Sequence, residues 1–258
     1  MKLLVVGAGE MGRWVGEVAL AGLDADLAFA DADPAVAEDA AGEVGGRAVA
    51  LDADERFDAV CVAVPMSAAE SAIESHAERA ERALVDVTGR MAEPVAAMRA
   101  AAPDRERASL HPLFAAANAP GNVAVVRDEP GPVTDRLLDA LEARGNRVVE
   151  TTPDEHDEAM VTVQARTHAA ALSVALAADD VPEGLTTPVF EDLRAVAAQV
   201  TGNDPDVYAE IQAAFGGSDR VAEAAERIAD ANRDEFRALY REAGQRLDEL
   251  PDGRGDDS

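Results

Sequence analysis

The chain of 258 residues carries 51 acidic against 23 basic residues, a formal net charge of −28, and 48% of it is hydrophobic. This length allows one large or two modest domains, and the negative field excludes nucleic acid and anionic membranes as partners. Because Lys2 is the one lysine and aromatic residues make up only 3%, we expect a haloarchaeon-like source and a high-salt cytoplasm that screens self-repulsion; an acidic protein of ordinary cytoplasm is the alternative.

The first predicted strand, Leu3–Val6, runs directly into a glycine-rich turn. This turn carries a GxGxxG pattern, and a helical pattern over Arg13–Ala21 follows it. A GxGxxG between strand and helix lets a dinucleotide pyrophosphate meet a helix N-terminus. Since the strand begins at once, we expect no signal peptide. The predicted cofactor-binding residues of this turn are Gly7, Gly9, Glu10, Met11 and Gly12.

The second predicted strand, Leu27–Ala30, ends at Asp31, about 20 residues after the glycine turn. A carboxylate at this place accepts hydrogen bonds from the adenosine ribose hydroxyls and repels a 2′-phosphate. The predicted cofactor is therefore NAD rather than NADP. A glycine turn that binds nothing is the alternative.

Strand and helix patterns alternate through the first half, which is typical of a parallel sheet covered by helices. Further strands are predicted at Ala48–Leu51, Ala59–Val64, Ala83–Val87, Ala108–Leu110, Asn122–Val126 and Arg147–Glu150, and further helices include Ala68–Arg82 and Met91–Ala101. The predicted fold class is α/β: an N-terminal Rossmann-type, doubly wound parallel sheet followed by an all-helical C-terminal dimerisation domain.

Ligands of an open α/β sheet bind beyond the carboxyl ends of its strands. This rule adds Val64 and Pro65 to the predicted cofactor site, and it places Thr88 and His111 at the same edge. A histidine there can act as a general base near neutral pH, whereas a histidine that merely caps a strand is the alternative.

Two other residues of the first half are not expected to take part in chemistry. Cys61 lies inside an apolar strand, so we predict a buried core thiol and no disulfide, which suits a reducing compartment. His76 lies among Glu and Arg residues on an amphipathic helix, so we predict a solvated side chain.

After residue 152 only helical periodicity remains, and no apolar run is long enough to span a membrane. We predict a NAD-binding domain over residues 1–152, a helical substrate and dimerisation domain over 153–250, and a disordered tail over 251–258. The apolar faces of the helices favour a homodimer formed through this second domain.

The long helical segment that begins near Pro153 contains His156, Gln164 and His168. Gln164 and His168 are four residues apart, so an α-helix directs both towards one ligand. His156 lies three turns from His168 and is expected only to help start the helix. No third ligand type has suitable spacing, so no metal is predicted. Ordinary interface packing of Gln164 and His168 is the alternative.

Several motifs together resemble the prephenate dehydrogenases, the TyrA group of tyrosine biosynthesis. They are the glycine turn, Ala63-Val-Pro65, Asp86-Val-Thr88, His111-Pro-Leu-Phe114, His156-Asp-Glu-Ala-Met160 with Gln164 and His168, Thr187-Pro-Val-Phe190 and Asn203-Asp-Pro-Asp-Val-Tyr-Ala-Glu210. The resemblance spans nearly the whole chain in the right order.

This resemblance implies NAD-dependent oxidative decarboxylation of prephenate to 4-hydroxyphenylpyruvate. In the family, the histidine matching His111 accepts a hydrogen bond from the ring hydroxyl as hydride leaves, and the one matching His168 lines the substrate pocket. We therefore assign His111 as catalytic and His168, Gln164 and Thr88 as substrate-binding.

The chain departs from the family at positions that bear on the substrate. Gly89 and Met91 stand where the family usually has serine and lysine, Ala115-Ala116 replaces Gly-Pro, and Glu191 stands where it usually has an arginine for a substrate carboxylate. Arg194 or Arg166 is a candidate substitute. The alternatives are arogenate, another small NAD-dependent hydroxyacid dehydrogenase, and a nucleotide-binding regulator that has lost catalysis.

Overall fold

The computed structural model describes residues 1–182 and 184–250, and the predicted tail at 251–258 lies outside them. The chain divides into two compact units. The first comprises Met1–Val163 and Asp204–Phe215, and the second comprises Gln164–Asn203 and the described residues from Gly216 on. Residues 153–163 and 204–215 thus group with the sheet, whereas the domain boundary predicted from the sequence lies at residue 152.

The first unit is built on one sheet of eight strands in the order β3-β2-β1-β4-β5-β6-β7-β8. The strands are β1 (Lys2–Val6), β2 (Asp26–Ala30), β3 (Arg47–Ala48), β4 (Phe57–Val62), β5 (Ala80–Asp86), β6 (Glu106–Pro112), β7 (Asn122–Glu129) and β8 (Arg147–Glu150). The first six are parallel in the order 3-2-1-4-5-6 that dinucleotide-binding folds share.

Strand β1 shows why these segments form a sheet that is buried on both sides. Leu3 and Val5 pack into the core on one face, and Leu4 and Val6 pack into the core on the other. Such a strand reads as a continuous apolar run, because helices cover both faces of a parallel sheet.

Seven of the helices belong to the first unit, and four to the second. The first unit holds α1 (Glu10–Leu23), α2 (Pro34–Val44), α3 (Met66–His76), α4 (Ala92–Ala101), α5 (Pro132–Ala143), α6 (Pro153–Met160) and α9 (Pro205–Phe215). The second holds α7 (Thr167–Ala177), α8 (Pro188–Thr201), α10 (Ser218–Asp230) and α11 (Arg233–Asp248). These counts cover the described residues only, in which no helix is long and apolar enough to cross a membrane.

The predicted fold class is confirmed, with one correction to the sheet. Strand β7 runs antiparallel to β6, and β8 is parallel to β7. The connection over residues 113–121 is too short for the crossover that a parallel pair needs, so the chain returns as a hairpin. Pairing with β7 also extends β6, so that His111 and Pro112 lie within the strand rather than after it.

The helix predicted over Ala68–Arg82 is shorter than expected, because α3 ends at His76 and β5 begins at Ala80. The prediction that His76 is solvated is wrong. Its side chain is buried, and Nδ1 lies 3.3 Å from an Arg79 guanidinium nitrogen. Burial and the adjacent Arg79 charge lower the pKa of His76.

A π-helical turn over Val161–Arg166 separates α6 from α7. The one long helical segment predicted from the sequence is therefore interrupted by this turn. Because a π-turn closes its hydrogen bonds over five residues rather than four, it shifts the angular positions of the side chains that follow it. The predicted common face of Gln164 and His168 therefore does not follow from a spacing of four.

Close packing of α1 against α5 gives a direct test of the fold. A Cβ on Gly22 would lie 2.4 Å from the Cβ of Ala140, so Gly22→Ala is expected to destabilise the protein by about 1–3 kcal/mol through overpacking. Nothing lies within 4 Å of a Cβ on Gly42 in α2, so Gly42→Ala is expected to stabilise it by about 0.5–1 kcal/mol. Urea unfolding in concentrated KCl measures both changes. Shifts of the same sign would contradict the packing.

Candidate active site

The glycine turn follows β1, the strand that lies between β2 and β4 in the sheet. Gly7 has a φ of +94°, and a Cβ there would lie 2.4 Å from the carbonyl oxygen of Ala63. A Cβ on Gly12 would lie 2.0 Å from the carbonyl oxygen of Gly7. Both positions therefore require glycine for the turn to fold and for α1 to approach the sheet.

The remaining features of this turn fit a bound dinucleotide. A Cβ on Gly9 would meet nothing within 4 Å, and no side chain caps the N-terminus of α1. Asp31, at the end of β2, accepts a 2.8 Å hydrogen bond from the amide of Ala8. An uncapped helix start suits a pyrophosphate, and each carboxylate oxygen of Asp31 has room for a further hydrogen bond.

The next strand end carries a carboxylate from a distant part of the chain. Val64 and Pro65 follow β4, and Pro65 is the N-cap of α3. Glu210 of α9 accepts a 2.9 Å hydrogen bond from the amide of Met66 and a second hydrogen bond from the Ser67 hydroxyl. An acidic side chain is stabilised there by the partial positive charge of a helix start.

Thr88 lies beyond the end of β5, and its hydroxyl is engaged within its own turn. The hydroxyl oxygen is 2.7 Å from Asp86 Oδ1 and 2.9 Å from the carbonyl oxygen of Arg90. Burial raises the pKa of Asp86 to about 7, against the hydrogen bonds from Thr88 that favour the ionised form. This carboxyl group therefore takes up a proton near neutral pH.

His111 lies at the end of β6 in contact with a second histidine. Its Nδ1 is 2.8 Å from Nε2 of His156, and the two rings meet edge to face with centroids 5.0 Å apart. On its other side, His156 Nδ1 is 2.8 Å from Asp157 Oδ1. Both histidines are buried. Three polar side chains thus form a continuous row from α6 to β6.

The environment of this row keeps His111 neutral. Burial, together with the neighbouring His156 ring, lowers the pKa of His111 to about 3. Burial opposes ionisation of Asp157, but hydrogen bonds from His156 and from the amides of Met91 and Ala92 outweigh it and hold its pKa below the usual range. At neutral pH, His111 is therefore a hydrogen-bond acceptor or donor without charge, close to a fixed carboxylate.

A cavity of about 320 Å³ lies beside these strand ends in the first unit. Thr88 and Arg90 line it, together with Met66, Ser67, Ala69, Glu70, Glu93, Pro94, Glu210, Ala213 and Ala214. The Arg90 guanidinium makes a 2.8 Å ion pair with Glu93 and lies 3.8 Å from Asp157. The lining therefore carries more acidic than basic side chains.

Gln164 and His168 belong to the second unit, Gln164 in the π-helical turn and His168 in α7. Burial lowers the pKa of His168. Glu191 and Arg194 lie one turn apart on α8 and form an ion pair at 2.8 Å. Arg194, a candidate to bind a substrate carboxylate, is thus paired with Glu191, which stands where the resemblance implies an arginine.

Four residues of the first unit lie at these strand ends although the sequence assigned them no part in the site: His156, Asp157, Arg90 and Glu210. His156 is expected only to help start α6, but the side chains of Thr152 and Glu155 cap that helix reciprocally, and His156 turns to His111 instead. A usable signal is that capping box, because it removes the need for His156 at the helix start. In the described part of the chain, no group of three metal-ligating side chains comes together.

A curated relative decides the family. The 4-amino-4-deoxyprephenate dehydrogenase of Streptomyces pristinaespiralis is 32% identical over 241 residues, which cover 86% of this chain and 80% of the relative. The chain belongs to the prephenate/arogenate dehydrogenase family. It is accordingly an oxidoreductase, although no family model matches its sequence.

Solved structures of this family share the fold. Prephenate dehydrogenase from Aquifex aeolicus, crystallised with hydroxyphenyl propionate and NAD+, superposes with a TM-score of 0.70 at 15% identity and covers 97% of this chain and 98% of its own. Arogenate dehydrogenase from Synechocystis gives a TM-score of 0.62 at 18% identity, covering 96% and 99%. At these identities the likeness concerns the fold alone.

Two departures from the family pattern have a local explanation. Met91 is fully buried in the core between the sheet and α3 and α4, so no charged side chain fits there. A Cβ on Gly89 would lie 2.9 Å from the Met66 sulfur, so a serine would displace that side chain. The polar roles that the family gives to these positions are therefore not supplied by residues 89 and 91.

The place of Asp31 gives a test of cofactor choice. We expect Asp31→Ser to lower the preference for NADH over NADPH by about ten- to a hundredfold in Kd ratio, because a charge-assisted hydrogen bond and the repulsion of a 2′-phosphate are both lost. Asp33→Ser is the matched control, since it removes the same charge two residues away while serine still caps α2. Titrations followed by Trp14 fluorescence measure both. Equal changes in the two variants would contradict the assignment.

Proposed function

We propose that this chain catalyses NAD-dependent oxidative decarboxylation of prephenate to 4-hydroxyphenylpyruvate, a step of tyrosine biosynthesis. The observation that carries the proposal is the neutral, buried His111 at the carboxyl end of β6, on the sheet edge that also holds the glycine turn and Asp31. The 32% identity to a dehydrogenase of the same family supports it.

The cofactor site proposed here is the one that the sequence predicts. Its residues are Gly7, Gly9, Glu10, Met11, Gly12, Asp31, Val64 and Pro65. Bound NAD would supply the hydride acceptor. The uncapped start of α1 and the Asp31 carboxylate bind the dinucleotide and orient it along the sheet edge.

Prephenate presents one ring hydroxyl and two carboxylates to the protein. As the carbinol C–H bond breaks and hydride leaves, the hydroxyl becomes more acidic, and His111 accepts its hydrogen bond. The bond from the ring to its carboxylate then breaks, carbon dioxide leaves, and its electron pair completes the aromatic ring. A histidine that is already neutral serves this role throughout the neutral range, because it never has to lose a proton first.

Substrate binding and domain roles also follow the sequence analysis. We assign Thr88, Gln164 and His168 to the substrate, residues 1–152 to NAD binding, and 153–250 to substrate binding and dimerisation. These assignments stay predictions. Thr88 is among the residues that line the cavity at the strand ends, which supports its part.

An amine-bearing substrate is a second candidate, favoured by one observation. The Streptomyces relative is named for 4-amino-4-deoxyprephenate, in which an amino group replaces the ring hydroxyl. The cavity is lined by Glu70, Glu93 and Glu210 against Arg90, and this excess of acid suits a substrate that carries an amino group. Arogenate, with its amino group on the side chain, benefits in the same way.

The deciding experiment measures NADH formation in molar KCl with prephenate, arogenate and 4-amino-4-deoxyprephenate offered separately. We expect turnover of at least one, and His111→Asn to lower its kcat by about 10²- to 10⁴-fold while the Kd for NAD stays within a few-fold. His76→Asn, a buried histidine outside the site, is the matched control.

The substrate that turns over separates the candidates. Prephenate alone supports the first proposal, and an amine alone supports the second. Unchanged kcat in His111→Asn would remove His111 from the mechanism. No turnover with NAD still bound would leave another hydroxyacid dehydrogenase or a regulator without activity.

We also propose a homodimer adapted to a high-salt cytoplasm. Helix α7 is mostly apolar and carries no acidic or basic residue other than His168, yet only Ala171 is buried and Leu176 is 87% exposed. An apolar surface of this kind marks an interface, and the charge of −28 requires screening.

Sedimentation in molar KCl is expected to give twice the mass of one chain, and Leu176→Glu to give a monomer. Lowering KCl is expected to reduce helical circular dichroism, because self-repulsion then acts over a longer range. A monomer in molar KCl, or a spectrum indifferent to salt, would contradict the respective proposal.

A further inference from the structure

In the row Asp157–His156–His111, the Asp157 carboxylate determines which group donates and which accepts in each hydrogen bond. Asp157 Oδ1 accepts a 3.0 Å hydrogen bond from the amide of Met91, and Oδ2 accepts a 3.1 Å bond from the amide of Ala92. The Arg90 guanidinium lies 3.8 Å from Oδ2. These donors hold Asp157 ionised, and an ionised carboxylate can only accept hydrogen bonds. The hydrogen between Asp157 and His156 therefore resides on His156 Nδ1.

The ring of His156 lies between this carboxylate and His111. Its side chain is only 1% exposed, and Arg90 and the amide groups at the start of α4 already compensate the negative charge of Asp157. An imidazole that carries its hydrogen on Nδ1 presents a lone pair at Nε2, which is the nitrogen that faces His111.

The tautomer of His111 is set by that lone pair. Nε2 of His156 lies 2.8 Å from Nδ1 of His111, and a hydrogen bond of this length needs one donor and one acceptor. Since His156 accepts, His111 carries its hydrogen on Nδ1. Its Nε2 then bears the lone pair, which is the form that a hydrogen-bond acceptor for a substrate hydroxyl or amine requires.

We propose that Asp157 and His156 are positioning residues that hold His111 in the Nδ1–H tautomer, with Nε2 as the acceptor towards the substrate. The proposal rests on the proposed function, in which His111 accepts a hydrogen bond. A purely structural role, in which the row only fastens α6 to α4 and β6, predicts no dependence of the tautomer or of kcat on hydrogen-bond polarity.

The tautomer can be read without substrate. The chain has four histidines, so ¹⁵N spectra of the imidazoles hold four ring systems, and loss of one set in His111→Asn assigns His111. Protonated and bare ring nitrogens have widely separated ¹⁵N shifts. We expect the hydrogen of His111 on Nδ1 in the native protein.

Asp157→Asn reverses the polarity of the row. We expect the asparagine to turn its oxygen towards the amides of Met91 and Ala92, which can only donate, and its NH2 group towards His156. The NH2 group then donates to Nδ1, so His156 places its hydrogen on Nε2 and His111 has to accept at Nδ1. We expect the hydrogen of His111 to move to Nε2. A native His111 with its hydrogen on Nε2, or an unchanged tautomer in Asp157→Asn, would overturn the proposal.

Two substitutions of His156 form a matched pair for kinetics. The amide oxygen of His156→Gln reaches the place of Nε2 and still accepts from His111, whereas the shorter His156→Asn keeps a donor to Asp157 but does not reach His111. We expect kcat to fall by about 10²- to 10⁴-fold in His156→Asn with KM within a few-fold, and to be largely retained in His156→Gln. Equal losses in both variants would count against a positioning role.

Controls separate the possible failures. His76→Asn shows what loss of a buried histidine does elsewhere, and thermal unfolding shows whether each variant folds. If His156→Asn does not fold, His156→Gln and the spectra of Asp157→Asn still decide. If the native protein turns over none of the three substrates, the proposed function fails while the tautomer stays measurable. If the native protein is active and the tautomer of His111 is the same in Asp157→Asn as in the native protein, only this proposal fails.

Discussion

Parallel hydrogen bonding of β1 with β2 and β4 decides where the candidate site residues lie. Because β1, β2, β4, β5 and β6 run the same way, their carboxyl ends meet at one edge, and the chain leaves each strand there. The close approach of Gly7 to Ala63 at the centre of this edge leaves no room for a side chain. The glycine turn, Asp31, Thr88 and His111 are thus brought to one edge by the sheet before any of them contacts another.

Much of this could be predicted from local patterns. Apolar runs and the glycine turn indicate the sheet, and the strand-end rule places His111 at the correct edge. The His111–His156 contact could not be predicted in this way, because its partners are 45 positions apart and come from a strand and a helix. Helical periodicity shows only which residues share a helix face, so it assigned His156 no partner and left it at the start of its own helix. The antiparallel β7 follows from the length of one connection, which strand patterns alone do not weigh.

In this chain with 51 acidic residues, the balance between burial and hydrogen-bond donors gives individual carboxyl groups different pKa values. Asp157 accepts hydrogen bonds from two backbone amides and from a histidine, and it remains ionised although it is half-buried. Asp86 is fully buried with donors from Thr88, and its pKa rises to about 7. Backbone amides suit this role in a chain with one lysine, because they stabilise a carboxylate without adding a mobile cation.

The helices that begin at this sheet edge differ in whether a carboxylate of the protein lies at their N-terminus, and this difference affects how an anionic ligand can orient. In the described chain, α2, α3 and α4 each begin against a carboxylate of the protein: Asp33, Glu210 and Asp157. Helix α1 has Gly9 as its N-cap, and no side chain caps it. The protein's own carboxylates thus compete with an anionic ligand at the starts of α2, α3 and α4, whereas no side chain caps the amides at the start of α1. This difference favours one registration along the edge for a ligand that carries several negative groups.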